Sequence, residues 1–452
     1  MSEALIAEIY NAFNPYPLTL NEADRKLYVD CEAVRGEDNI MRQLGKKIIV
    51  SDTNTYQLYA GHRGGGKTTE LYRLQQKLEN KGCFVVYFAA DLDLDVNDVQ
   101  YTDILLACTR AILNGLKEYS DINWFDEWIQ SRWTFLKDLA LSEVKFDKSS
   151  IDLKIPVFGK LTTTLKNVPS RREEIRKQID IEMPSLIDSL NQFIREGKKN
   201  LPDGKHKIVV IVDNLDRIPP TTINEKEGKT NHDEIFIDRS NLLQKLDCHA
   251  IYTIPISFIH SRKANLAADL YGFPEVLPMI KVRDRNDNPH SLGIETLKDI
   301  LSKRILQFDA ARGLSLEKDI FENADLTNKI CEMTGGQVRE LMHFMQMVLD
   351  WTDELPIREK AVKRTLSLYR NNYRNTVDEK DWIKLAEVSQ SKQIVNEQDY
   401  RDLLFRRCIL EYLELAQDDE LKKWYDVHPL LKETDEFQRA LEEYKNDESR
   451  VN

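Results

Sequence analysis

No apolar stretch of the sequence is long enough to cross a bilayer, and Met1 to Tyr10 lacks both a basic leader and an uninterrupted apolar core. Neither a membrane span nor a secretory signal is therefore expected. The six cysteines (Cys31, Cys83, Cys108, Cys248, Cys331, Cys408) are scattered without a C-x-x-C pair, which argues against a disulfide framework and a zinc site. His428 precedes a proline and has no second histidine or cysteine at ligand spacing, so it reads as a packing residue. A surplus of basic charge is missing too: 64 Lys and Arg against 76 Asp and Glu give a formal net charge of -12. That argues against coating nucleic acid by bulk electrostatics and leaves only a local basic strip for the purpose. A reducing, cytoplasmic setting fits these absences. The 452 residues, 41% hydrophobic and 31% charged, suffice for two to four domains with sizeable cores.

The most informative stretch is Gly61-His62-Arg63-Gly64-Gly65-Gly66-Lys67-Thr68, which fits G-x-x-x-x-G-K-[ST] without a mismatch. Small residues let the backbone wrap so that successive N–H groups point inward at a polyphosphate, and the helix that follows adds its positive end. Lys67 is expected to reach the β- and γ-phosphates and Thr68 to ligate Mg²⁺. Tyr56 to Ala60 reads as a buried strand entering the loop, and Thr69 to Lys77, with Leu71 and Leu74 at helical spacing, as the helix leaving it. Upstream, Val34-Arg35-Gly36-Glu37-Asp38 leads into Ile40, Met41 and Leu44 at helical spacing. This segment is placed to wall an adenine, with Arg35 as its candidate nucleotide contact.

Lys207-Ile208-Val209-Val210-Ile211-Val212-Asp213 is a second diagnostic run: consecutive apolar residues ending in a carboxylate that would hold Mg²⁺, as in a Walker B strand. Asp216, three residues on, is the candidate for polarising an attacking water. Cys83 to Ala90 and His249 to Pro255 read as further strands buried on both faces, with Thr253 placed to sense a γ-phosphate. Val276 to Val282 reads as an edge strand because it contains Pro278. Residues 101 to 117 read as a helix, Pro219 to Asp233 as a mobile loop, and Glu234 to Leu246 as a helix. Such alternation implies a parallel sheet with its ligand at the C-terminal edge.

Residues 118 to 206 interrupt this pattern. They hold Trp124, Trp128 and Trp133, then two alternating runs, Ile151 to Ile155 and Lys160 to Leu165, read as a hairpin turning at Pro156 to Gly159. A long helix over about Ser170 to Arg195 follows, with Ser170 as its N-cap. The insertion either packs on the core or offers a surface to a partner or a neighbouring subunit. The aromatic, proline-bearing arm Tyr10 to Pro17 is expected to pack along a neighbouring surface. After Leu292 amphipathic helices follow one another, broken at Thr334-Gly335-Gly336, and Arg339 in the first turn of the next helix would reach back over a nucleotide. Residues 376 to 452 suit a small winged-helix-like module with a strand around Cys408 to Tyr412. Its acidic residues, Asp418-Asp419-Glu420 among them, do not favour DNA binding. The domains expected are thus 1–50 (arm and adenine-side segment), 51–290 (α/β core), 291–375 (helical lid) and 376–452.

These residues resemble the additional-strand (ASCE) P-loop ATPases, in the branch that holds the Orc1/Cdc6-type AAA+ initiators and the STAND and KAP NTPases. The resemblance rests on the phosphate loop, on Val212-Asp213-Asn214-Leu215-Asp216-Arg217, and on Gly335-Gly336-Gln337-Val338-Arg339. It implies a strand order 5-1-4-3-2, with Thr253 as sensor 1 and Arg339 as sensor 2. The nucleotide would be held by Gly61, His62, Arg63, Gly64, Gly65, Gly66, Lys67, Thr68, Thr69 and Arg35. Where many STAND proteins carry Gly-Arg-Glu, this chain has Arg35-Gly36-Glu37; Arg217, Arg239 and Arg171 are the candidates for an arginine finger. The implied function is a Mg²⁺-dependent switch that binds and hydrolyses ATP, since an N-K-x-D guanine motif is absent. It would work as a homo-oligomer or through a separately encoded protein partner, as many bacterial relatives do in defence or signalling. The alternatives are an initiator- or loader-type ATPase that assembles on DNA, and a nucleotide-gated scaffold with little turnover.

Overall fold

The apolar runs become the strands of one sheet: β1 (Tyr56–Gly61), β2 (Cys83–Ala89), β3 (Lys207–Asp213), β4 (His249–Thr253) and β5 (Glu275–Leu277). The computed structural model describes residues 3–36, 39–119, 154–202, 204–226, 228–309, 313–395, 398–416 and 420–451. The spatial order is β2-β3-β4-β1-β5, the expected 5-1-4-3-2 read from the other edge. β3 pairs in parallel with β2 from Cys83↔Lys207 to Ala89↔Asp213 and with β4 on its other side, and β4 pairs in parallel with β1. Ile208 to Val212 are fully buried. At about 1.5–3 kcal/mol for each large aliphatic side chain, that run alone is a sizeable part of the core. β5 stops at Leu277, short of the expected Val282, because Pro278 has no N–H to continue the ladder.

Contacts gather the chain into two units, one made of Met1–Asn39, Gly61–Tyr72 and Val276–Asn452, the other of Ile40–Ala60 and Arg73–Glu275.

In the second unit the helix Tyr101–Leu116 opens on a reciprocal cap between Gln100 and Asp103. The hairpin expected across residues 151–165 is not formed where the structure can be described: Lys154–Asn167 is a helix. Phe158, Leu161 and Leu165 recur at helical spacing and are all buried, so the 3.6-residue period wins over the apparent alternation. Ile151, Leu153, Trp124, Trp128 and Trp133 lie outside the described residues. The long helix spans Pro169–Lys199 and begins on Pro169 rather than on a Ser170 cap, with no side-chain bond at its Val168 boundary. It buries Ile175, Ile179, Met183, Leu186, Leu190 and Ile194 along one stripe. Arg172 and Arg176, one turn apart, bind Asp95, Asp98 and Asp103. Burial works against the Asp98 carboxylate, but the two guanidiniums outweigh it and hold it below the usual range. The polar run 219–233 contains a small ribbon, Thr222–Asn224 against Lys229–Thr230, and the helix expected over 234–246 is a π-turn (Glu234–Asp238) followed by the short helix Ser240–Leu243.

In the first unit the N-terminal helix Glu3–Ala12 packs on the helix Ser291–Asp309. Phe13 is fully buried, and Arg304 Nη1 donates to Ala12 O and Asn14 O, so the arm packs as expected. The helices Ala324–Met333, Val338–Asp350 and Glu359–Arg374 continue the lid. Beyond them come the helices Trp382–Ser391 and Gln398–Phe405, the antiparallel hairpin β6 (Ile409–Leu415) and β7 (Leu421–Val427), and the closing helix Asp435–Val451. This is a winged-helix-like arrangement in which the single expected strand has become a full wing. No helix among the described residues is long and apolar enough to cross a membrane.

His428, fully buried, joins this module to the lid. Its Nδ1 accepts from Leu430 N–H at 3.3 Å, which leaves Nε2–H to donate to Glu340 Oε2 at 2.9 Å, and the ring stacks on Tyr373 with centroids 4.1 Å apart. A His428→Ala substitution withdraws a buried donor from a carboxylate and is expected to cost about 3 kcal/mol. Urea melts read the loss, and His428→Gln, which keeps a donor, should recover part of it.

Candidate nucleotide site

The phosphate loop is built on left-handed glycines. Gly64 and Gly66 take φ of +87° and +107°, conformations an L side chain rarely adopts, and Gly65 N–H closes a turn onto His62 O at 3.2 Å. Lys67 is 5% exposed and its Nζ donates to Gly61 O at 2.8 Å and His62 O at 3.0 Å, a charged head folded into the loop's own concavity. Arg63 is exposed, with its guanidinium over the Phe405 ring at 5.8 Å, and Thr68 is half-buried. Thr69 Oγ1 accepts from Leu18 N–H at 3.2 Å, so the N-terminal arm lies against the helix that leaves the loop. Arg35, buried, donates from Nη2 to Gly65 O at 2.6 Å.

Lid and C-terminal module both hold this loop. Arg339 N–H donates to Gly64 O at 3.1 Å, which places the expected sensor 2 residue at the loop by its backbone as well as by its position. His62, 1% exposed, accepts at Nε2 from Glu411 N–H of β6 at 2.9 Å. Tyr412 OH donates to Gly335 O at 3.0 Å, and Arg407 Nη1 to Gln337 Oε1 at 3.2 Å. Sequence reasoning missed these β6 partners, and no local signal announces them.

Gly336 has φ +85°, and a Cβ there would stand 1.9 Å from Ile280 O. A Gly336→Ala change is expected to cost more than the ~1–2 kcal/mol of left-handed strain alone, because a backbone carbonyl cannot step aside. Gly204, at φ +80° with nothing within 4 Å of a Cβ, is the control: Gly204→Ala should show only the strain in a parallel thermal melt.

In the other unit, the end of β3 forms a tight polar turn. Asp213 is fully buried; its Oδ2 accepts from Tyr87 OH and its Oδ1 from Asn214 N–H, both at 2.7 Å. Asn214 takes φ +65° and is pinned by Nδ2 to Asp91 Oδ1 at 2.7 Å. Asp216 follows in the turn Leu215–Arg217 and is 4% exposed. The Thr253 hydroxyl accepts from Leu215 N–H at 3.0 Å and donates to Val212 O at 3.3 Å, so in this structure it braces the turn that carries Asp216. Of the arginine-finger candidates, Arg217 is tied to Asp91 at 2.6 Å, Arg239 lies over Tyr101 at 4.8 Å and Arg171 faces Glu174 at 3.7 Å. Tyr87 and Asp91 are the site residues the sequence reading did not single out. Tyr87 lies two residues before the end of the strand paired with β3, a position from which its side chain and the β3 carboxylate share a face.

A glycine-turned loop with its lysine directly follows β1, and an extra strand, β4, separates β1 from the strand that ends in the buried aspartate. This is the fold of an additional-strand P-loop NTPase. Comparison with known proteins finds no protein-family model and no curated protein that matches. Among solved structures, this chain is similar to the Aeropyrum pernix ORC1 protein in complex with DNA, with 11% identity over 98% of each chain and a TM-score of 0.39. It is similar to Cdc6p from Pyrobaculum aerophilum, with 12% identity over 96% of this chain and 98% of that one and a TM-score of 0.38. The Aeropyrum pernix ORC2 protein in ADPNP–ADP complexes, with 11% identity over 98% of each chain, gives a TM-score of 0.40.

At the loop, two nitrogens of the buried Arg35 have no hydrogen-bond partner. They are donors suited to an anion.

Proposed function

We propose that the chain is a Mg²⁺-dependent ATPase that works as a switch. Lys67 and the amides of residues 61 to 68 take the phosphates. Thr68 and Asp213 take the Mg²⁺, which when bound neutralises charge on the phosphoryl group. Asp216 orients the attacking water, Thr253 keeps the Asp216 turn in place, and Arg339 reports the nucleotide to the lid. The observation that carries the reading is the double hold on the loop, Arg339 N–H on Gly64 O and Glu411 N–H on His62 Nε2. A ligand in the loop bears on both contacts, and a ligand that favours one arrangement of them shifts the population of the other. The output would pass to a second copy of the chain or to a separate protein partner, in defence or in signalling.

A second reading is assembly on DNA as an initiator or loader; the ORC1 structure above is a complex with DNA. The winged-helix-like module favours it by analogy of fold. The helix before the wing carries Asp399 and Asp402 and the wing carries Glu420, so the switch reading comes first. A steep salt dependence of DNA affinity would reverse that order.

Single-turnover ATP hydrolysis followed together with mass photometry tests the proposal. Turnover in the wild type, with a mass distribution that changes between ATP and ADP, supports it. A chain that binds neither nucleotide, or hydrolyses ATP with no response in lid or mass, overturns it.

A further inference from the structure

A guanidinium carries its charge throughout the working pH range, and a buried one calls for an anion. Arg35 is 5% exposed. Of its three nitrogens only Nη2 has a partner, the carbonyl of Gly65 at 2.6 Å, while Nε and Nη1 are buried with none. No carboxylate among the described residues bonds to it. A Cβ on Gly66 would find Arg35 Nη2 as its nearest neighbour, at 3.6 Å, so the guanidinium lines the phosphate loop.

Its place is fixed from two sides. Val34 O accepts from Lys281 N–H at 3.1 Å. Gly36, at φ +82°, lets β6 approach so closely that a Cβ there would stand 2.8 Å from Leu413 O. The corner that bears Arg35 is thus held between the segment after β5 and the C-terminal wing.

The geometry points to Arg35 as a direct ligand of the polyphosphate of a nucleoside di- or triphosphate, Nε–H and Nη1–H donating to its oxygens, and so to a phosphate role in place of the expected adenine-side one. The inference rests on the nucleotide-binding reading and adds to it the group that makes the site selective for chain length. A nucleobase is neutral and offers a buried cation only acceptor atoms and a ring face, whereas a phosphate chain offers several negative charges in a geometry that matches the planar fork.

The test is equilibrium titration of the full chain with ATP, ADP, AMP and GTP, and competition by inorganic tripolyphosphate, for the wild type, Arg35→Gln and Arg35→Lys. For Arg35→Gln, ATP and ADP affinity should fall about tenfold or more, AMP affinity should fall least, and the preference for ATP over GTP should stay. Tripolyphosphate should displace ATP from the wild type and lose this ability in parallel. Arg35→Lys, a point charge without a fork, should fall between. Without ligand, Arg35→Gln should melt at or above the wild type, since an unpaired buried charge has gone. Unchanged ATP affinity overturns the inference. So does an altered ATP-to-GTP preference with tripolyphosphate unaffected, which would put Arg35 on the base, or a lower ligand-free melting temperature with equal losses for ATP and AMP, the mark of a brace. Failure of the wild type to bind both ATP and tripolyphosphate would instead remove the nucleotide reading itself.

Discussion

An Asp216→Ala variant is expected to keep ATP and lose hydrolysis, single-turnover rates dropping by about 10²–10⁴-fold, the usual share of a positioned acid–base group. Phosphoryl transfer asks little covalent chemistry of the protein and much placement, so one carboxylate aimed at the water carries a large part of the rate. The turn around Asp216 has holds besides that side chain: Asn214 is pinned to Asp91, and the Thr253 hydroxyl accepts from Leu215 N–H. Rapid-quench hydrolysis beside an equilibrium ATP titration separates the two steps. Wild-type turnover in the variant would exclude Asp216 from the chemistry. A matched loss of binding and turnover would make it a structural residue.

A Lys67→Ala variant should instead lose the nucleotide itself. Removing a buried cation from its anion costs about 3–5 kcal/mol, or some two to four orders of magnitude in Kd. The ammonium now lies against the carbonyls of Gly61 and His62, within the loop it would share with a phosphate. Calorimetric titration with ATP reads the loss directly. ATP affinity equal to that of the wild type would mean that the loop is not the phosphate site, whatever its sequence.

Much of this was legible because burial on both faces leaves a plain trace. The strands Lys207–Asp213 and His249–Thr253 are buried almost throughout, whereas Cys83–Ala89, expected to be buried on both faces, stands last in the strand order with only Cys83 and Val86 buried; the loop motif needs its glycines for a reason visible in the left-handed Gly64 and Gly66. The insertion was misread because Leu161 and Leu165 serve an alternating pattern and a helical one alike over so few residues, and Phe158 decides between them only once the helix is seen. Thr253 sits where its strand predicts, but the engagement of its hydroxyl depends on how Val212 and Leu215 turn. The contact between His62 and Glu411 spans 349 positions, and nothing local in either segment encodes it. Arg35 could be named as a nucleotide residue from its place ahead of the loop; which end of the nucleotide it faces required knowing what lies beside its three nitrogens.

The wing strand β6 forms part of the wall around the phosphate loop: Glu411 meets His62, Tyr412 meets Gly335, and Met279, Leu410, Tyr412 and Trp424 make one buried cluster. The C-terminal module is therefore not an interchangeable attachment. In a protein assembled from exchangeable modules, evolution can trade the sensing end for another and keep the engine. Here the two share a wall, so a new terminal module has to supply its own backbone donor to His62 and its own apolar lid over Met279. A change at Glu411, Tyr412 or Trp424 therefore bears on the surroundings of the phosphate loop as well as on the wing.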